Sequence, residues 1–397
     1  MRESGGTQCG PDPASPLLFH TNTLLPVKLL NSKSIPTSLS SDLRPPTSDS
    51  NWDGNEHPVT ILVPVLNEAA RLAPCLTGLS AQGPEVNEIL VVDGGSTDAT
   101  HQIVERFAAR DPRIRWLVSP PAPPGSNGKA HNLVHGLAHA DLASEWILTI
   151  DADVRPQAGL AAALLHHAAR KAIPALSVAT GQQLSSAGEA LLHPAMLTTL
   201  VYRFGIPGHA VIDPAQVQAN GQCFLVHREA LATAGGFSQV TDSICEDVTL
   251  ARLLAAAGYP VGFYETDGDL VSVAMYAGAA DAWRNWLRSL PMRDRFWNRA
   301  SWLGMAEMTL IQAAPLPLAL ILRGRTGLAG MLGRLNLVLL MIRLGVLAGT
   351  ARAYRSRPWT YWLSPLSDVP VAIGVLLSAM RRVHSWRGRP ITRGAPR

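Results

Sequence analysis

The chain has 397 residues, of which 47% are hydrophobic and 16% are charged, and it is long enough to bury a large core. Its net charge of +4 hides two opposite parts: residues 281–397 hold 18 Arg, no Lys and 4 acidic residues, which leaves 16 basic and 26 acidic residues before them. Arginines among apolar stretches and tryptophans favour a phospholipid surface, and without a recognition motif this charge argues against nucleic acid as the partner.

The first 57 residues are rich in Ser, Thr, Pro and Asn and hold only short apolar patches. Their apolar length is too small for a membrane span, and their charge order does not fit a signal peptide. We therefore expect residues 1–57 to be a mostly disordered leader that takes no part in the chemistry.

Strands and helices alternate in the next hundred residues. The run VTILVPV is β-branched and apolar, as in a strand buried on both faces, and apolar residues then recur at helical spacing over 67–79. EILVVD, IRWLVSP and WILTIDAD predict further strands, with helices in HQIVERFAAR and KAHNLVHGLAHA. The alternation predicts an α/β fold with a mostly parallel sheet, flanking helices, and ligands at the carboxyl ends of the strands.

Acidic residues lie at those strand ends, namely Glu68, Asp93 and the pair Asp151 and Asp153. Alternate residues of an extended segment point to the same side, so the two aspartates of the pair can act together. One carboxylate suits a base or ribose, and another suits a divalent cation that neutralises a pyrophosphate. An isolated pair is more often a strand end followed by a polar turn, but further motifs in order favour a binding site.

The stretch DSICEDVTLARLLAAAGY predicts another helix through its apolar spacing. Ser243 and Glu246 have the spacing of a capping box. Helix physics alone interprets Glu246 and Asp247 as first-turn acids that complement the helix dipole.

Six stretches together resemble the successive motifs of the family 2 glycosyltransferases: VPVLNE, VVDGGSTDAT, GKAHN, DAD, NGQCFLVHREAL and ICEDVTLARLL. The resemblance extends from Val59 to Val273. It implies the GT-A fold, in which a Rossmann-like, mostly parallel sheet with flanking helices binds a nucleotide-diphosphate sugar. We expect this catalytic domain to occupy residues 58–280.

The resemblance assigns roles to the residues that bind the donor. Pro64, Asn67 and Glu68 match the first nucleotide-binding segment, and Asp93 matches the acid that contacts the nucleobase. Lys129 matches the basic residue near the diphosphate.

The same resemblance implies a divalent cation, Mg²⁺ or Mn²⁺. Asp151 and Asp153 match the metal-binding motif, in which one carboxylate commonly faces the ribose and the other faces the metal. Both are therefore candidate metal ligands.

Asp247 matches the general base that takes the proton of the acceptor hydroxyl. A single base without a protein nucleophile implies direct displacement and inversion at the sugar carbon. Glu246 is expected to support the base or touch the acceptor. Asn220 and Gly221 precede an apolar strand, where the small residue either lets the backbone approach a sugar or only tightens a turn.

Residues 281–397 predict an amphipathic and transmembrane helical region. WRNWLRSLPMRDRFWNR alternates Trp with Arg and favours a segment in the membrane interface, with a buried soluble helix as the alternative. Apolar blocks near 301–322, 327–350 and 361–380 favour two or three membrane helices. Arg334, Arg343 and Asp368 interrupt these blocks, so either the helices pack together and hide their charges or they lie partly in the interface.

The tail resembles those of membrane-associated transferases of the carotenoid and hopanoid type. We therefore expect a lipid acceptor dissolved in the bilayer of the cell membrane, and a catalytic domain that faces the cytosol, where nucleotide sugars occur. A processive polysaccharide synthase is an alternative, although the Q-x-x-R-W motif is missing and WRNWLRSL, with Arg288 as an acceptor-site candidate, is the nearest counterpart. A non-catalytic sugar-nucleotide-binding subunit is another.

Overall fold

An eight-stranded sheet forms the centre of the structure, a computed structural model that describes residues 43–46, 57–266, 270–386 and 389–392. The strands are Val59–Val65 (β1), Val86–Asp93 (β2), Ile114–Val118 (β3), Trp146–Ile150 (β4), Val154–Pro156 (β5), Ala175–Ala179 (β6), Gly181–Gln182 (β7), His209–Val211 (β8), Cys223–His227 (β9), Val261–Glu265 (β10), Val271–Val273 (β11), Val383–Trp386 (β12) and Arg389–Thr392 (β13).

The α-helices flank the sheet and continue beyond it. They are Leu72–Ser80 (α1), Thr100–Ala108 (α2), Gly128–His139 (α3), Leu160–Lys171 (α4), Ala187–Phe204 (α5), Arg228–Thr233 (α6), Glu246–Ala256 (α7), Ala279–Trp286 (α8), Arg299–Met308 (α9), Pro315–Ile321 (α10), Gly327–Gly349 (α11) and Asp368–Met380 (α12).

The predicted mostly parallel sheet is confirmed. Its strand order is β3–β2–β1–β4–β9–β6–β10–β8, and only β9 and β8 run against the other six strands. Strand β1 is buried at every position because helices cover both faces. Its successive residues Ile61 and Leu62 therefore enter two different hydrophobic clusters, one on each side of the sheet.

The reversal of β9 shapes the edge of the sheet where the site lies. Because β9 is antiparallel to β4, with Ile150 opposite Cys223, the residues before β9 lie beside the residues after β4. The main-chain N–H of Asp151 donates to the carbonyl of Gln222 over 3.1 Å. The start of one strand and the end of the other thus meet at the carboxyl edge.

Most of the predicted leader lies outside the described residues. Of that segment, 43–46 and 57 are described, and Leu43 is fully buried in the core and bridged to Thr266. Leu43 is therefore part of the core and not of a disordered leader. For the rest of residues 1–57, disorder stays a prediction.

One hydrophobic cluster crosses the predicted domain boundary at residue 280. It joins Met196 and Val248 of the sheet domain to Leu290 and to Val371 of α12. In the segment that begins WRNW, Leu287, Leu290 and Met292 belong to this cluster, and Trp283, Trp286 and Trp297 are half-buried against it. This packing favours the alternative of a buried helix, and the expectation that the segment lies along the membrane interface stays a prediction.

Two helical stretches among the described residues are long and apolar enough to cross a membrane, Gly327–Ala353 and Trp359–Met380. A third is possible where Arg299–Ala313 and Pro315–Ile321, bent by 47°, act as one span. Apolar side chains of α11 such as Leu328, Met331 and Met341 are exposed, as expected for helices that face lipid.

The charges that interrupt these apolar blocks partly cancel each other. Arg343 is fully buried and donates to both carboxylate oxygens of Asp368, over 2.9 Å and 3.0 Å. Gln312 donates to the same carboxylate over 2.9 Å and to the carbonyl of Ala195 in α5 over 2.8 Å. For this pair, the alternative in which helices pack together and hide their charges is the one observed.

Replacing Asp368 with Leu should destabilise the protein by about 3–5 kcal/mol, because it leaves the buried guanidinium of Arg343 without its counter-ion. The double variant Arg343→Met, Asp368→Leu should recover much of that loss, since no buried charge remains. Thermal unfolding in detergent measures both, with Arg334→Met on the exposed side of α11 as the control. A double variant less stable than Asp368→Leu would contradict the role of charge compensation.

Candidate active site

One cavity at the carboxyl edge of the sheet collects most of the residues that the motifs predict. Ten of the twelve line it: Pro64, Glu68, Lys129, Asp151, Asp153, Asn220, Gly221, Glu246, Asp247 and Arg288. They come from β1, α3, the end of β4, the start of β9, α7 and the segment after α8. Six separate segments thus supply a single site, as ligand sites at strand ends require.

The Lys129 ammonium is the centre of this site. Its Nζ lies 2.7 Å from Asp151 Oδ1 and 3.0 Å from Glu246 Oε1, and it donates to the carbonyl of Gly221 over 3.3 Å. Burial lowers the pKa of Lys129, but Asp151 and Glu246 outweigh that effect and hold its pKa above the ordinary value. The lysine therefore stays charged and compensates acids on two other segments.

Asp247 lies in the first turn of α7, and its carboxylate accepts hydrogen bonds from two main-chain N–H groups. Its Oδ2 accepts from the N–H of Gly221 over 2.6 Å, and its Oδ1 accepts from the N–H of Val248 over 2.8 Å. Burial and then repulsion from Glu246 raise the pKa of Asp247 to about 6, against the opposing effect of Lys129. The carboxylate is fixed in orientation and basic enough to take a proton near neutral pH.

Gly221 allows this close approach. A Cβ at this position would lie 2.9 Å from Asp247 Oδ2 and 3.0 Å from Lys129 Nζ, closer than real side chains come. A side chain at this position is therefore excluded by Asp247 and Lys129, and approach of the backbone to a sugar stays a prediction.

Asp151 and Asp153 have the oxygen ligands that suit a divalent cation, and Asp153 has one oxygen without a hydrogen-bond partner among the described residues. Burial raises the pKa of each carboxyl to about 6. Asp153 Oδ1 is buried and has no hydrogen-bond partner among the described residues, so one ligand atom is left for a cation. Those residues hold no preformed group of three or more His, Cys, Asp and Glu, so other oxygen ligands would have to complete the coordination.

Asn67 and Asp93 lie outside the cavity lining but are joined by one turn. The Asp93 carboxylate accepts from the N–H of Ser96 over 3.0 Å and from its hydroxyl over 2.6 Å. Ser96 Oγ accepts in turn from the N–H of Asn67 over 2.8 Å, and Asn67 Oδ1 accepts from the N–H of Thr97 over 2.8 Å. Asn67 has a φ of +55°, a conformation that asparagine tolerates, so helix α1 begins only at Leu72 rather than at 67.

The motif comparison missed two residues of the site. Arg71 lies 2.7 Å from Glu68 Oε2 and 3.7 Å from Asp153 Oδ2. Its position three residues after Glu68 is the feature of the sequence that could have indicated the ion pair with Glu68. Asn127 caps α3 by accepting from the N–H of Lys129 over 2.9 Å. It also donates to Glu246 Oε2 over 3.0 Å, which joins the start of α3 to the start of α7.

The predicted capping box at Ser243 and Glu246 is wrong. Helix α7 begins at Glu246 after Cys245, without a side-chain cap. Ser243 Oγ instead accepts from the N–H of Cys245 over 3.2 Å and lies 2.8 Å from Thr249 Oγ1. Glu246 is drawn to Lys129 and Asn127, because a buried carboxylate gains more from an ammonium than from a free amide.

Residues 60–232 match the family model described as Glycosyl transferase family 2. Succinoglycan biosynthesis protein ExoA of Rhizobium meliloti is 26% identical over 210 residues, which are 51% of this chain and 59% of that protein. Dolichyl-phosphate beta-glucosyltransferase ALG5C of Trichomonas vaginalis is 36% identical over 102 residues, which are 24% of this chain and 28% of that protein. The chain thus spans less than two thirds of the length of either relative.

A mannosyltransferase from Pyrobaculum calidifontis, solved in complex with GDP-Man and Mn²⁺, has the same fold. The two structures align with a TM-score of 0.51 at 22% identity, over 86% of this chain and 90% of the other. Residues 60–232 therefore match a family 2 glycosyltransferase domain, which is an enzyme domain, and the structure has a GT-A-like α/β fold. The predicted likeness to the family 2 glycosyltransferases and the predicted GT-A-like α/β fold are confirmed. Membership of the carotenoid and hopanoid subgroup stays a prediction.

Replacing Lys129 with Met should destabilise the protein by about 3 kcal/mol or more at pH 8, because Asp151 and Glu246 lose their counter-ion. Burial raises the pKa of both Asp151 and Glu246, and in the variant Lys129 no longer opposes that effect. Carboxyls whose folded pKa lies above the unfolded value stabilise the fold at low pH and lose that contribution as pH rises through the folded pKa. The deficit relative to wild type should therefore grow from pH 5 to pH 8.

Thermal unfolding midpoints across that pH range measure the deficit. Lys171→Met, at the exposed end of α4, is the matched control and should lose little stability at either pH. A Lys129→Met deficit that is the same at pH 5 and pH 8 would show that the lysine does not compensate these acids.

Proposed function

We propose that the protein is an inverting glycosyltransferase that moves a sugar from a nucleotide-diphosphate sugar to a hydroxyl of a lipid dissolved in the membrane, such as a carotenoid or hopanoid. The convergence of Asp151, Lys129 and Asp247 in one cavity carries this proposal. In this proposal Asp151 is a cation ligand, Lys129 is the positive charge for the diphosphate and Asp247 is the base.

The reaction needs one base and one leaving group. Asp247 takes the proton of the acceptor hydroxyl while that oxygen attacks the anomeric carbon of the sugar. The bond from this carbon to the diphosphate breaks, and its electron pair leaves on the diphosphate oxygen. Attack opposite the leaving group inverts the configuration of the carbon.

Charge compensation favours departure of the diphosphate. Lys129 stabilises negative charge on the leaving group from its place between Asp151 and Glu246. A divalent cation, Mg²⁺ or Mn²⁺, held by Asp151 and Asp153 would neutralise further charge on the diphosphate. Arg71 keeps Glu68 and Asp153 from repelling each other while the site is assembled.

The nucleotide end of the donor belongs at the ends of β1 and β2. Pro64 and Glu68 line the cavity there, and Asp93 and Asn67 form the adjacent turn with Ser96 and Thr97. Asp93 accepts hydrogen bonds in this turn and is the acid proposed to face the nucleobase.

A membrane acceptor is supported by the C-terminal helices. Two of them have the length and composition of membrane spans, and they share a hydrophobic cluster with the catalytic domain. Because nucleotide sugars are cytosolic, we place the catalytic domain on the cytosolic side, where loops such as RAYRSR would also lie. An acceptor in the bilayer can then approach Asp247 without entering the aqueous phase.

Polysaccharide synthesis is the second candidate, favoured by the name of the succinoglycan biosynthesis relative. Under this alternative the acceptor is the end of a growing sugar chain. The nature of the labelled product separates the two candidates.

The test supplies the protein in lipid nanodiscs with radiolabelled UDP- and GDP-sugars and Mg²⁺ or Mn²⁺. Wild type should release nucleoside diphosphate and transfer label to an organic-soluble lipid, whereas Asp247→Asn should lose transfer by about 10³-fold or more, because it lacks a base. Asp213→Asn, in an exposed turn, is the control. Label that appears only in water-soluble polymer would favour the second candidate, and equal inactivity of wild type and Asp247→Asn would support a non-catalytic subunit.

The rate should depend on the protonation of Asp247. Its pKa of about 6 means that the carboxylate binds a proton below that pH and then cannot accept one from the acceptor. We therefore expect kcat/KM to fall by about tenfold per pH unit below pH 6 and to level off above pH 7. Initial rates between pH 5 and pH 8 measure this, and a flat profile would exclude Asp247 as the base.

A further inference from the structure

The lining of the cavity has two chemically different parts. One part is ionic and contains Lys129, Asp151, Asp153, Glu246 and Asp247. The other part holds the apolar and aromatic side chains of Ile244, Met275, Tyr276, Trp286 and Ile391, and the polar residues Asp281, Asn285, Arg288 and Ser289 line the cavity as well. A sugar diphosphate needs the ionic part, because phosphate oxygens buried against hydrocarbon would lose their hydrogen bonds.

Ile391 reaches this site from the far end of the described chain. It lies in β13, which pairs with β12 as an antiparallel hairpin. It is 2% exposed and packs in the cluster that also contains Tyr276, Ile244 and Val371. The C-terminal hairpin therefore supplies part of the wall of a cavity whose other residues lie a hundred or more positions earlier.

The hairpin is attached to the loop that precedes α3, the helix that carries Lys129. Ile391 bridges to Gly125, and the N–H of Thr392 donates to the carbonyl of Gly125 over 3.1 Å. Gly125 has a φ of +79°, which lets the loop turn toward β13 at no steric cost. Two residues later Asn127 caps α3, so β13 lies against the segment that positions Lys129.

Trp286, the largest aromatic side chain of this part of the cavity, packs against buried residues outside the lining. The ring of Trp286 lies 4.2 Å from the ring of His193, centroid to centroid. His193 is buried, and its Nδ1 lies 2.9 Å from the hydroxyl of Tyr354. The apolar part of the cavity is thus a preformed surface, because its largest ring has little freedom to move away.

We propose that β13 is a strap that closes the apolar side of the cavity, and that Ile391 selects the acceptor by contact with hydrocarbon next to the reacting hydroxyl. This inference rests on the proposed function and deepens it. It assigns to the site an alcohol whose neighbouring atoms are apolar.

The test compares Ile391→Ala with Ile212→Ala, a truncation of the same size at a side chain that is 56% exposed and outside the cavity lining. Both variants are assayed in nanodiscs of dioleoylphosphatidylcholine with farnesol, geranylgeraniol or dioleoylglycerol as the acceptor. Ile391→Ala should raise the acceptor KM about tenfold, as removal of hydrocarbon contact in a pocket does. The donor KM and the donor hydrolysis measured without acceptor should stay at wild-type values.

Equal changes of the donor and acceptor KM, or no change of either, would overturn the role of Ile391. Wild type that transfers sugar to none of the three alcohols would refute the proposed acceptor class itself. A second experiment tests the position of β13 without measuring catalysis. It distinguishes a failure of the strap from a failure of the proposed transfer reaction.

That separate test is thiol labelling of Ile391→Cys and Ile212→Cys with a water-soluble maleimide, after subtraction of the labelling of the unsubstituted chain. A strap that seals the cavity should slow labelling at position 391 by about tenfold or more relative to position 212, because reaction there requires local opening. Equal labelling rates at the two positions would show that β13 does not close the cavity, whatever the enzyme assays give.

Discussion

A single buried ammonium group determines the geometry of the catalytic edge. Lys129 lies in the first turn of α3, where the helix dipole alone disfavours a positive charge. It is stabilised there because Asp151 after β4, Glu246 in α7 and the carbonyl of Gly221 before β9 all turn toward it. Buried acids without this cation would repel one another, so the relative positions of these four segments depend on one charge.

The same compensation explains which parts of the site a sequence can reveal. Strands β1 to β4 and the helices between them follow from local hydrophobic spacing, which requires no knowledge of distant residues. Asp151 and Asp247 were found because each belongs to a short recognisable motif. Arg71 and Asn127 were not, because their importance comes from partners brought close only by folding, such as Asp153 for the former and Glu246 for the latter.

The direction of β9 could not be predicted for a related reason. An apolar strand such as CFLVH has the same pattern whether it runs with its neighbours or against them. Only the antiparallel arrangement places Gly221 beside both Asp247 and Lys129. The charges in the C-terminal blocks posed a similar problem, since the sequence offers two outcomes for Arg343 and Asp368 and their pairing is decided by helix packing.

The catalytic edge and the end of the long apolar helix are connected through main-chain pairing. Asp153 directly precedes β5, which pairs with β11, and β11 pairs with β7. Strand β7 continues the connection, because Gln182 bridges to Tyr354 and accepts from the N–H of Arg355 over 3.1 Å, just after the stretch Gly327–Ala353. Hydrogen bonds between strands are short and directional, so this connection fixes the spacing between a candidate cation ligand and the helix end far better than a flexible linker would. In an enzyme whose acceptor lies in the bilayer, such a connection would keep Asp153 at one depth relative to the reacting hydroxyl.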